Sequence, residues 1–192
     1  MLADCSNHLN LNNNCANLAL LHLNIRSISK KLDKFSNFLG SLTLDFSVIG
    51  ITETWLDNSS HLSDIQGYSF IHNPRVDTDG GGVGLYLAEH LKFKNRTDLT
   101  FVNESLFVEV IRPTEKNIVI GAIYRPPDRN LNEFIGELDQ LLSCISKINK
   151  LVLLFASCLE YKLALSFKSP CHGQVLRVNE LENIFSAYNA TH

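Results

Sequence analysis

Three polar residues stand where apolar runs stop. Asn24 closes "LALLHLN", Glu53 follows "FSVIGIT", and Tyr124, with Arg125 behind it, ends "NIVIGAIYR". In sheets flanked by helices, reactive groups gather where strands end, so an amide, a carboxylate and a phenol are candidates for one common rim. Their chemistry suits a hydrated hard cation facing a phosphate. Mg²⁺ takes one or two protein carboxylates and keeps several waters. An amide can position a phosphate oxygen or a water, and a phenol can hydrogen-bond a phosphate. The same residues also suit plainer tasks: Glu53 as the charge at the start of a turn or helix, Asn24 as a cap for the helix that follows, Tyr124 as the amphipathic edge of a core.

Other polar motifs carry less. The run "DTDGGGVGLYL" lacks the lysine–serine/threonine pair of a P-loop and the third glycine of the dinucleotide fingerprint, and it leads into a strand; it reads as a flexible turn. Of the seven histidines none forms an H-x-x-x-H or H-x-H pair, and His22 lies inside an apolar strand, as a core histidine does. The five cysteines, Cys5, Cys15, Cys144, Cys158 and Cys171, are odd in number and never spaced C-x-x-C, which argues against a disulfide framework or a zinc site.

The elements that must position the three residues follow from periodicity. Strands are expected at "LALLHLNI", "FSVIGITE", "GGVGLYL", "SLFVEVI", "NIVIGAIY" and "KLVLLFA". A first helix places Leu32, Phe35, Leu39 and Leu42 on one face. A second opens at Asn130, with Glu133 three residues on as a capping box, and carries Leu131, Phe134, Leu138, Leu141, Leu142 and Ile145 at helical spacing. Helices alternating with buried strands around a hairpin-rich middle predict an α/β sandwich of mixed sheets.

Composition bounds the rest. With 192 residues, 45% hydrophobic and 19% charged, the chain is long enough for one domain with a sizeable core. The net charge of −3 carries no basic block, so nucleic-acid contact has to come from a local patch or a bound cation. No segment approaches a membrane span, and the asparagine-rich residues 1–17 read as a flexible lead-in. The cysteine usage predicts an intracellular protein.

Taken in order, "LNIRSISKKLDKF", "FSVIGITETWL", "IQGYSFIHNPR", "GGGVGLYL", "SLFVEV" and "IVIGAIYRPPDRNLNEFIGELDQLL" resemble the endonuclease domain of non-LTR (LINE-type) retrotransposons. That domain belongs to the endonuclease/exonuclease/phosphatase superfamily, with a DNase I-like four-layer α/β sandwich. The resemblance covers residues 18–154 and leaves 155–192 as a diverged segment. It implies a Mg²⁺-dependent DNA-nicking enzyme of the reverse transcriptase-associated kind, with DNA as its partner and a nuclear location if functional. Residue by residue, it implies that Glu53 binds the metal, Asn24 arranges the phosphate and the carboxylate, and Tyr124 contacts the scissile phosphate. Trp55 reads as a packing residue, two positions beyond the metal ligand in an apolar context.

The resemblance fails after the sixth strand. Where the family carries "GDFN", this chain reads "FASC", which places Ala156 and Cys158 at the aspartate and asparagine positions; neither can replace them. The family's late aspartate and its "SDH"-like pair have no counterpart, and the sandwich is expected to be incomplete at the C-terminus. The expectation is a degenerate copy with little or no activity, or a non-catalytic remnant that binds DNA or protein. An uncovered sheet face would favour self-association.

Overall fold

The computed structural model describes residues 18–58, 65–75, 80–158 and 162–167. The lead-in and most of the diverged segment, Glu160 included, lie outside these. Two sheets form the centre. The first has four strands in the order β1-β2-β4-β3, comprising β1 (Leu20–Asn24), β2 (Val48–Thr52), β3 (Tyr68–Asn73) and β4 (Val83–Ala88). The second has five in chain order: β5 (Lys92–Asn95), β6 (Ser105–Ile111), β7 (Ile118–Arg125), β8 (Leu151–Cys158) and β9 (Lys162–Phe167). Two pairs are parallel, β1 with β2 and β7 with β8; the others are antiparallel, so both sheets are mixed.

Strand alternation sorts the side chains into three layers of core. Leu21, Leu23, Ile49, Ile51 and Tyr86 leave the first sheet outward and meet Phe35 and Phe38 of α1 (Leu32–Ser41). Val48, Leu85 and Leu87 point the other way and pack on Val108, Ile120, Ala122 and Phe155 of the second sheet. On that sheet's far face Phe107, Val119, Ile123, Val152 and Leu154 meet Leu141 and Ile145 of α2 (Leu131–Ser146). The arrangement is therefore helix, sheet, sheet, helix. The period-two pattern sends alternate residues of every central strand to different neighbours, and most of the buried positions on both faces are apolar.

The helices obey their local signals with one shift. The Asn130 side chain caps α2, accepting from the backbone N–H of Asn132 at 2.9 Å and of Glu133 at 3.3 Å, a contribution of about 1 kcal/mol. In α1 the buried aromatics are Phe35 and Phe38, while Leu42 falls in the extended C-cap with ψ 145°. Three strands escape the sequence reading. β3 alternates weakly, with most positions half-buried; β5 is the polar edge stretch "KFKN"; β9 lies in the diverged segment. β8 runs unbroken across the junction expected at Phe155. Among the described residues no helix is long and apolar enough to cross a membrane.

Aromatic rings fill the space above three strand glycines. A Cβ on Gly50 would lie 2.4 Å from the Phe155 ring, one on Gly84 2.7 Å from Phe70, and one on Gly121 2.2 Å from Phe107. Glycine at these positions is a packing requirement.

Candidate functional site

Both parallel pairs end at the same rim. Asn24 is in register with Thr52, and the pairing outlasts the strands: Ile25 N–H donates to Thr52 O at 3.0 Å, Ser27 N–H to Glu53 O at 2.9 Å, and Ile28 N–H to Thr54 O at 3.0 Å. The two loops thus run side by side as one ladder. They do so with four non-glycine residues at left-handed φ: Arg26 at 47°, Ser27 at 76°, Glu53 at 55° and Trp55 at 54°. Such residues each cost of order 1–3 kcal/mol and persist where the surroundings over-determine them.

The reward for that strain is convergence on a single carboxylate oxygen. Asn24 Nδ2 donates to Glu53 Oε1 at 2.8 Å, and Tyr124 OH donates to the same oxygen at 3.1 Å from the opposite sheet. Arg26 Nε stands 3.5 Å from Oε2. The Glu53 side chain is 15% exposed and that of Arg26 71%, so the carboxylate sits in a recess with an exposed cation at its mouth. Burial, then the adjacent Glu53 carboxylate, pushes the Tyr124 phenol well above its ordinary pKa. The phenol is therefore the donor in its bond to Glu53. All three residues singled out in the sequence are brought together.

A second set of residues, missed by sequence reasoning, braces this one. Gly80, Gly81 and Gly82 have φ of 90°, 74° and 80°. Gly82 O accepts from Thr54 N–H at 3.3 Å and Gly81 O from Trp55 N–H at 2.9 Å, so the turn holds the Glu53 loop from the other side. Gly82 N–H donates to the buried Glu104 carboxylate at 2.8 Å. A Cβ on Gly81 would meet that carboxylate at 2.5 Å, and one on Gly82 would meet Thr54 Oγ1 at 2.6 Å. The expected flexible turn is thus a pinned one. Glu104 also holds Arg75 at 3.4 Å, and Arg75 donates to Asp128 at 2.7 Å. Burial raises the Glu104 pKa, opposed by the Gly82 N–H and the Arg75 charge. The backbone O of Glu104 accepts from Tyr124 N–H at 2.9 Å, linking the network to the phenol. The only signal for these residues is their position, each a charge beside a strand end.

The strand register revises the reading of β8. Ile123 pairs with Ala156 and Tyr124 with Ser157. Since Ile123 belongs to the layer under α2 and Tyr124 to the layer between the sheets, Ala156 shares the α2 side. The residues on the Tyr124 face are Phe155 and Ser157, both buried. Phe155 stacks on His22 with ring centroids 5.4 Å apart, which places that histidine in the core as expected. The shift by one residue follows from the period of two: aligning the motif one position off exchanges the faces. Cys158 pairs with Arg125, in the same alternation as Ala156.

Trp55 departs from its expected packing role. Its neighbours Thr54 and Leu56 are buried, while the indole itself is 42% exposed.

The donors present fit a water-rich ion. Among the described residues, Glu53 Oε2 faces a solvent-exposed guanidinium, and Thr52 Oγ1, beside Asn24 in register, is buried without a hydrogen-bond partner. Among the described residues no three His, Cys, Asp or Glu side chains cluster as a metal site. One carboxylate, an amide and a hydroxyl are a set that suits Mg²⁺, which brings its own waters, and does not suit Zn²⁺.

No protein-family profile and no curated protein sequence matches the chain. Solved structures do. The endonuclease domain of TRAS1, a telomere-specific non-LTR retrotransposon, superposes with a TM-score of 0.53 at 14% identity, over 72% of this chain and 59% of that one. This chain has a DNase I-like fold. An AP endonuclease, LMAP, from Leishmania major gives a TM-score of 0.55 at 15% identity over 71% of this chain and 54% of its own. An endonuclease/exonuclease/phosphatase family protein from Leptotrichia buccalis gives 0.51 at 13% identity, covering 71% and 66%. The chain spans less than two thirds of the length of these proteins. Within the DNase I-like fold, its described part is the two sheets and the two covering helices.

Proposed function

We propose that this chain is a Mg²⁺-dependent DNA-nicking domain of the non-LTR retrotransposon kind, in a degenerate form with little or no turnover. The observation that carries the reading is the convergence of Asn24 and Tyr124, one from each sheet, on Glu53 Oε1. A carboxylate held by two donors on one oxygen keeps its other oxygen turned to the recess.

Glu53, with Asn24 beside it, would hold the ion; Mg²⁺ when bound neutralises charge on the phosphate and the leaving oxygen. The chain's own residues do the remaining work. Asn24 fixes the rotamer of Glu53 by donating to its Oε1 at 2.8 Å. Tyr124 would turn its single O–H from Glu53 to a phosphate oxygen when substrate enters. Arg26 swings from Glu53 to the incoming phosphate, a short move for an exposed guanidinium.

Weak turnover follows from the other side of the recess. On the β8 face that meets Tyr124 stand Phe155 and Ser157, and the resemblance assigns the family's aspartate and asparagine to Ala156 and Cys158. None of these four residues is a carboxylate or an amide, and losing one positioned acid or base costs about 10²–10⁴ in rate.

The test is relaxation of supercoiled plasmid by the purified chain in Mg²⁺ and in EDTA, with Glu53→Ala as control. The expected result is nicking at or below a thousandth of that of a complete enzyme of this fold, with all of any residual rate lost in EDTA and in the variant. Robust nicking, or nicking that survives Glu53→Ala, would overturn the reading.

A further inference from the structure

The chain's single tryptophan is presented to solvent two positions beyond Glu53, at some energetic cost. Trp55 adopts φ 54°, a left-handed backbone that disfavours a bulky residue. It is held there by its N–H bond to Gly81 O at 2.9 Å. The pyrrole half of the indole lies against position 80: a Cβ on Gly80 would be in ordinary van der Waals contact with it, 3.5 Å from Nε1 and 3.6 Å from Cε2. The ring is therefore supported on one side while 42% of the residue stays exposed. A side chain needed only as a plug would be buried like its neighbours Thr54, 0% exposed, and Leu56, 5%. The backbone positions of Glu53 and Trp55 are at most about 7 Å apart, so the two side chains rise from one short stretch of loop. The exposed guanidinium of Arg26, itself at φ 47°, stands at the mouth of the Glu53 recess.

We propose that Trp55 is a stacking platform for an unpaired DNA base next to the phosphate that enters the recess, with Arg26 contacting the backbone. This rests on the reading of the recess as a DNA site. An aromatic face beside a cation is how proteins hold single-stranded nucleic acid, and it is tolerant of sequence because every base has a π-face. The platform accepts a base only if it leaves the duplex, so single-stranded or locally opened DNA binds in preference to intact duplex.

The sole tryptophan is also the reporter. The full chain, in EDTA to prevent cleavage, is titrated with a short oligo-dT and with a blunt mixed-sequence duplex. Tryptophan emission is followed in parallel with the anisotropy of a labelled oligonucleotide. Saturable quenching by oligo-dT is expected. In the anisotropy assay Trp55→Leu weakens oligo-dT binding about 5- to 150-fold, and Trp55→Phe by less. Far-UV circular dichroism establishes that the variants are folded. Oligo-dT affinity unchanged in Trp55→Leu would overturn the platform while leaving the DNA reading intact. A folded chain that binds neither oligonucleotide would overturn both.

Discussion

Replacing Glu53 with glycine should leave a more stable protein than replacing it with alanine, although both remove the same carboxylate. Glu53 sits at φ 55°. For a residue with a Cβ this region costs roughly 1–2 kcal/mol, a cost glycine does not incur. Glycine loses about 0.4–1 kcal/mol of that advantage through the greater freedom of its unfolded chain. The balance favours Glu53→Gly over Glu53→Ala by about 1 kcal/mol, or roughly 2–4 °C in Tm for a chain of this size. The preceding residue is an internal control. Thr52 is the last residue of β2 and fully buried in extended backbone; there Gly should be worse than Ala by about 0.5–1 kcal/mol. Urea unfolding of the four variants, followed by circular dichroism, reads both differences. The reasoning fails if Gly and Ala rank in the same order at both positions, for then the left-handed backbone at Glu53 carries no cost.

Other outcomes follow from packing and charge. Gly121→Ala drives a methyl to within 2.2 Å of Phe107 and should destabilise by about 1–3 kcal/mol; Phe107→Leu in the same chain should recover part of this in urea melts. Glu109 is 1% exposed and bonded to Lys150, Asn117 and Arg96. Burial pushes its pKa up, but the hydrogen bonds from Lys150 and Asn117 and the charge of Lys150 outweigh burial, drawing it from 4.5 down to about 2. A depressed carboxylate stabilises the fold above its unfolded pKa, so this contribution is present at neutral pH and is lost as pH falls from 4.5 towards 2. Glu109→Gln should therefore cost about 3 kcal/mol at pH 7 and much less at pH 3, which denaturant midpoints at the two pH values will show.

Much of the site was legible along the chain because its parts sit at strand ends. The apolar runs leading to Asn24, Glu53 and Tyr124 are unmistakable, and the motifs around them carry the family resemblance. β6 and α2 could be placed almost to the residue, since their apolar periods are long and Asn130 marks a cap. β3 and β5 were not, because one is half-exposed on both faces and the other is a polar edge with only Phe93 to betray it.

What the chain by itself determined is which residues can do chemistry and which runs must be buried, since both depend on residue type and local period. Tertiary structure decided who meets whom. Tyr124 reaches Glu53 across 71 positions of sequence, and the Arg75–Glu104 pair across 29, distances over which no local pattern carries information. It decided which face of β8 meets the recess, because a one-residue offset in register exchanges Ala156 for Ser157 beside Tyr124. It also turned Trp55 outward. A left-handed backbone at a residue other than glycine is imposed by neighbouring loops, here by hydrogen bonds to Gly81 and Gly82, and leaves no trace in the residue's own identity.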